Sequence, residues 1–190
     1  MMRPMSDLNQ YVEKISRDLQ FMQPGSLAEL RRMIPGDVGT AEFWRIAAEL
    51  HLPLDRTDIW QRIIRIMAIL APKGDPVDRK PLHGRRRKLG ETLCDGGDPG
   101  WPNGEDARPM LSETRLARFL ALPPERRGEA LERIARNLAV LRRDDDPVDC
   151  VALVRLLLYP EDPKTMRDLA YAYYRRLDAR RSPTQQEGNG

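Results

Sequence analysis

RTDIWQRIIRIMAILA, Arg56 to Ala71, is the stretch that decides the fold class. Ile59, Trp60, Ile63, Ile64, Ile66, Met67, Ile69 and Leu70 cover nearly the whole circumference of a helix, and a helix apolar all round is a buried one. Burying side chains of that size contributes roughly 1.5–3 kcal/mol each. The segment, with Asp55 as its N-cap, therefore reads as the core helix of an N-terminal bundle.

Toward the N-terminus the same period recurs. Leu8, Tyr11, Val12, Ile15, Leu19 and Met22 form one face of a helix capped by Ser6 and stopped by Pro24 and Gly25. Ser26 and Glu29 have capping-box spacing at the head of SLAELRRMI, which turns Leu27, Leu30 and Ile34 inward and leaves Arg31 and Arg32 on its flank. Thr40 caps AEFWRIAAEL, whose apolar surface comes from Phe43, Trp44 and Ala47.

Toward the C-terminus, PKGDPVDRKP (Pro72–Pro81) reads as a linker, and a weak helical pattern resumes over Lys80–Leu93 through Leu82, Leu89 and Leu93. From Asp95 to Met110 the glycines and prolines exclude an ordered element of any length, which makes this loop mobile or functional. Ser112 caps ETRLARFLAL, and Pro124 opens ERRGEALERIARNLAVLRR with Leu131, Ile134, Ala135, Leu138 and Leu141 inward. Asp146-Pro147 and Asp162-Pro163 each read as an N-cap followed by proline at the first helical position.

No segment alternates apolar and polar residues as a strand would. The expectation is an all-α protein of about eight or nine helices in two small packed bundles, residues 1–80 and 81–181, with a disordered polar tail at 182–190.

Composition narrows the function. Of 190 residues, 41% are hydrophobic and 32% charged, as in an ordinary globular chain. The 32 Lys and Arg nearly balance 29 Asp and Glu, so any affinity for nucleic acid depends on where the cations sit. Cys94 and Cys150 do not suggest a disulfide framework and fit a reducing compartment, with the cytoplasm as the default. Neither an apolar run of membrane-spanning length nor a secretory h-region is visible, so no membrane partner is expected.

Catalytic patterns are missing. His51 and His83 lack partners at metal-ligand spacing, and there is no Walker loop, GxSxG or dinucleotide fingerprint. Asp144, Asp145 and Asp146 could surround a magnesium ion in a nuclease, but an N-cap with two further anions near a helix start explains them more simply. No enzyme, cofactor or metal is expected.

The cations Arg85, Arg86, Arg87 and Lys88 carry more information. Between Lys73 and Glu91, seven cations (Lys73, Arg79, Lys80, Arg85, Arg86, Arg87, Lys88) face three acids (Asp75, Asp78, Glu91), a local surplus of four against +3 for the whole chain. A charge run is by default a solvated face. Arg133 and Arg136 each follow a glutamate by four residues, which accounts for them as intrahelical pairs, whereas Arg115 and Arg118 have only Glu113 nearby. The aromatics fall mostly on apolar stripes; Trp101, in the loop, is the exception.

The motifs, taken in order, resemble the small subunit of the type I-E CRISPR Cascade complex, the CasB family. The pieces are GSLAELRRM (Gly25–Met33), EFWRI around Phe43 and Trp44, RIIRIMAIL, KLGETL (Lys88–Leu93), SETRLARFL (Ser112–Leu120), ERIARNLAVL with the acidic turn after it, VDCVALVRLLL and RDLAYAYY. The resemblance covers about residues 8 to 176. The resemblance implies an all-helical, non-catalytic subunit, two copies of which pack along the guide-bearing complex. It also implies contact with the other Cascade subunits, the guide crRNA and target DNA, chiefly the displaced strand. Carried over by motif, Arg32, Arg115 and Arg136 occupy places where the family has cations facing nucleic acid, with Arg31 adjacent and Arg87 and Lys88 just before Leu89-Gly90. The chain departs from the family in its longer 95–110 loop and in Leu169 and Tyr159, where tryptophans are common.

On this reading the arginines form one electropositive track for an unpaired strand. The rival reading is a structural adaptor that bridges partner proteins without touching nucleic acid.

Overall fold

A computed structural model of the chain describes residues 5–102, 107–142 and 146–179, with side chains from Leu8 onward. Asp144 and Asp145 and the tail 182–190 lie outside what is described, while Ser6, expected as a cap, falls inside the first helix, Met5–Phe21.

Nine α-helices and no strand are found among the described residues: α1 (Met5–Phe21), α2 (Pro24–Arg32), α3 (Ala41–Glu49), α4 (Thr57–Leu70), α5 (Leu89–Asp95), α6 (Glu113–Leu120), α7 (Pro124–Leu141), α8 (Cys150–Leu158) and α9 (Pro163–Asp178). The expected all-α class is what the chain adopts. None of the described helices is long and apolar enough to cross a membrane.

Helix α4 lies at the centre, packed on α1, α2, α7 and α8. Ile63, Ile64, Ile66, Met67 and Ala68 are fully buried on successive faces, as its all-round apolar sequence requires. Gln61 is also fully buried, and its amide is satisfied by the backbone of the turn before α3: it accepts from Gly36 N at 2.7 Å and donates to Asp37 O at 2.9 Å. Helix α5 lies against α9, and α6 packs on α9 as well. Buried residues from both halves form one connected cluster, so the core continues across residue 80 through α4 against α7 and α8.

Thr40, Ser112 and Asp162 cap as read, accepting from Phe43 N, Arg115 N and Lys164 N. Other boundaries differ, each for a local reason. Helix α2 starts at Pro24, so Ser26 is already inside it and its hydroxyl donates to Glu42 Oε1 at 3.1 Å instead of capping. The helix ends at Arg32, which turns Met33 inward and leaves Ile34 62% exposed. Asp55 falls in a 3-10 turn, Leu54–Arg56, ahead of α4.

Residues expected to be helical from Lys80 are not in a helix until α5 begins at Leu89. Leu82 and Gly84 bond to Val148, whose N–H donates to Leu82 O at 2.8 Å while its carbonyl accepts from Gly84 N at 3.1 Å. That bridge keeps the backbone extended past Asp146-Pro147 as well. Helix α8 therefore begins only at Cys150, with Asp149 as the cap accepting from Ala152 N. Leu141, at the end of α7, is 61% exposed instead of inward.

The loop after α5 is tied down where it is described. Gly96, in the left-handed region at φ 69°, ends the helix, and Met110 N and Leu111 N donate back to Cys94 O and Leu93 O. Trp101 is buried at 8% exposure, with its indole N–H on Arg108 O and the Arg176 guanidinium 5.6 Å from the ring centroid. It is a packing residue of this loop.

Candidate nucleic-acid interface

Much of the arginine content works inside the fold. A helix leaves its last carbonyls without partners, and a buried guanidinium can bond several at once. Arg79 is 4% exposed and donates to Leu19 O, Gln20 O and Met22 O at the end of α1. Arg142 reaches Leu70 O and Arg31 reaches Ala68 O and Ala71 O, all at the end of α4. Arg65 donates to Arg31 O at the end of α2, and Arg56 to Leu158 O at the end of α8.

This pattern bears directly on the candidate cations. Arg31 serves the end of α4; burial, and then the charge of Arg79, hold its guanidinium below the ordinary arginine value. Arg87, with a side chain 17% exposed, pairs with the fully buried Asp95 and lies 3.5 Å from Asp146. Asp95 also accepts from Arg176 Nε at 2.7 Å and from Gly97 N at 2.9 Å. Arg136 stands 2.6 Å from Glu132, as its spacing implied, but Glu132 is only 10% exposed and also faces Arg65 at 3.3 Å and Arg62 at 3.7 Å across the α4–α7 contact.

The remaining candidates are on the surface. Arg32 is exposed, its Nε on Ala28 O of its own helix. Arg115 and Arg118 are exposed on α6, opposite the buried Leu116 and Phe119, and neither forms an ion pair among the described residues. Arg85 pairs with Glu13 at 3.0 Å, both side chains 58% exposed, a contact that water and salt leave weak. Arg86 and Lys88 are exposed as well.

Arg32, Arg115 and Arg136 stand on helices whose main partners differ: α2 packs on α3 and α4, α6 on α9, and α7 on α4 and α8. The cations the fold does bring together are a different set. A cleft of about 420 Å³ opens where α5, α8 and α9 meet beside α1, and Arg85, Lys88, Arg155 and Arg175 line it. Its two carboxylates are already engaged: Asp149 caps α8, and Asp168 pairs with Lys164 at 2.7 Å. Arg175 pairs with Glu91. Burial raises the Glu91 pKa, but the Lys88 N–H and the Arg175 guanidinium outweigh it and hold the group below the usual glutamate value.

Arg85 and Lys88 were legible from the charge run; Arg155 and Arg175 were not singled out. Arg155 left a signal as the one cation within the apolar CVALVRLLL, and Arg175 lies one turn after Tyr171 on the polar face of α9.

No group of three metal-ligating side chains occurs among the described residues. Burial, and then the charge of Asp95, push the Cys94 thiol up to about 12, so it is not a thiolate at neutral pH. Neither family models, curated proteins nor solved structures match this chain.

Proposed function

We propose that this protein is a non-catalytic subunit that holds single-stranded nucleic acid within a larger assembly, as the small subunit of a type I-E CRISPR Cascade complex does. The order of the motifs supports the family reading, and the all-helical architecture is compatible with it. The observation that carries it is the cleft lined by Arg85, Lys88, Arg155 and Arg175, whose Asp149 and Asp168 already have partners, although a phosphate there competes with the pairs Arg85 forms with Glu13 and Arg175 with Glu91. In this proposal the site lies on α5, α8 and α9, with Arg32, Arg115 and Arg118 as outlying phosphate contacts.

Guide pairing exchanges a DNA duplex for a heteroduplex at nearly balanced free energy, so modest protein contacts decide whether the opened state persists. Cations binding phosphates of the displaced strand supply that bias without reading sequence. The partners in this proposal are the other Cascade subunits, guide crRNA, target DNA and a second copy of the chain, in the cytoplasm.

Titration of a single-stranded oligonucleotide across salt tests the reading. Each phosphate neutralised contributes roughly −0.7 to the logarithmic salt slope, and the pairs Arg85–Glu13 and Arg175–Glu91 hold the total short of the about −2.8 that four unpaired cations would give. Lys88→Glu with Arg85→Glu should flatten that slope and weaken binding. A wild-type protein with no salt-dependent binding would refute the proposal. That outcome would favour the adaptor reading, to which the exposed Ile34 and Val38 and the Trp44 indole on Val38 O give a surface for a protein partner.

A further inference from the structure

Helix α9 presents two kinds of tyrosine. Its buried stripe runs Leu169, Ala172, Tyr173 and Leu177, and the Tyr173 hydroxyl donates to Leu111 O inside the core. Tyr171 points the other way, 71% exposed, and its hydroxyl makes no hydrogen bond among the described residues. It stands at the wall of the cationic cleft, one turn before Arg175. Packing does not account for an exposed ring at that place.

The rest of the cleft complements such a ring. Leu89, Gly90, Leu156 and Ala172 give it an apolar lining, while Lys88 and Arg155 bring charge to it. Gly90 has no side chain because α9 passes too close: a Cβ there would lie 2.2 Å from Leu169 O. The volume of about 420 Å³ falls within the roughly 300–1,000 Å³ of small-ligand pockets. Successive bases of a single strand stack on aromatic side chains set in positively charged grooves.

We propose that the cleft receives one unpaired nucleotide of a DNA strand, its base stacked on Tyr171 and its flanking phosphates at Lys88, Arg155 and Arg175. This rests on the single-strand reading above and assigns a residue that charge alone would not indicate.

The test compares an oligothymidylate with an abasic oligomer of equal length, which keeps the phosphates and lacks the bases. Fluorescence anisotropy is read on the full chain for wild type, Tyr171→Ala and Tyr171→Trp. Tyr171→Ala should weaken oligothymidylate binding about tenfold and leave the abasic oligomer unchanged, while Tyr171→Trp retains wild-type affinity. Unchanged thermal melting of the variants separates this from a folding defect.

If wild type binds both oligomers and Tyr171→Ala weakens neither or both equally, the nucleotide site is overturned and the single-strand reading stands. If wild type binds neither, both fall. Thymidine monophosphate binding as tightly as the oligomer, and lost in Tyr171→Ala, would reassign the cleft to a free nucleotide and overturn the strand proposal.

Discussion

Arg79 Nη1 lies 2.6 Å from the carbonyl oxygen of Met22, a residue 57 positions earlier in the chain. The same nitrogen reaches Leu19 O and Gln20 O, and Arg79 Nε holds Gly74 O at 3.0 Å, so one buried cation closes the end of α1 and fixes the chain that follows α4. A positive charge at a helix C-terminus also complements the helix dipole.

Arg79→Met should therefore cost about 3 kcal/mol or more in urea unfolding, because several buried carbonyls lose their donor together. Arg79→Lys should recover only part of this, since a single ammonium cannot reproduce the guanidinium fork. A loss below about 0.5 kcal/mol would remove the capping role.

Gly90 makes the opposite prediction from ordinary helix propensity. At an open helical position Gly→Ala gains up to about 1 kcal/mol. Here the new Cβ would also meet Tyr173 N at 2.7 Å, backbone that can move only by separating α5 from α9. Gly90→Ala should lower stability by about 2 kcal/mol or more, seen as a drop in melting temperature. A stabilised variant would mean that the two helices do not cross this closely.

Glu132 and Arg136 should be unequal partners. Arg136 is 53% exposed and its pair is intrahelical, so Arg136→Ala should cost no more than about 0.5 kcal/mol. Glu132→Ala leaves Arg62 and Arg65, with side chains 26% and 15% exposed, without their carboxylate, and should cost about 2 kcal/mol. Equal losses in chemical denaturation would show that α4 and α7 are not joined through Glu132.

His83 ties stability to pH. Burial, partly offset by the Val148 carbonyl, lowers its pKa, and its Nε2 is buried without a hydrogen-bond partner. The unfolded chain therefore binds the proton more readily. The stability this neutral ring supports is complete above the unfolded value of about 6.5 and is lost as pH falls below it. Denaturation midpoints should drop between about pH 7 and 5.5 in wild type and change less in His83→Gln; equal slopes would assign the dependence to other groups.

The stretch 80–93 shows what local pattern omits. Leu82, Leu89 and Leu93 have helical spacing, and all three are buried, but only the last two are in a helix. Leu82 is held extended by Val148, sixty-six residues away, and no local propensity encodes that partner. Trp101 is a similar case. Its glycine- and proline-rich surroundings read as open loop, and its burial depends on Arg176 from α9.

Periodicity and capping residues determined the helical class, the central place of α4 and the starts of α3, α6, α7 and α9, because those signals act within one turn of backbone. Tertiary structure alone decided which arginines remain at the surface. A guanidinium looks the same in sequence whether it ends a helix, neutralises a buried aspartate or lines a cleft, and only packing brings the carbonyls of Met22 or the carboxylate of Asp95 within its reach.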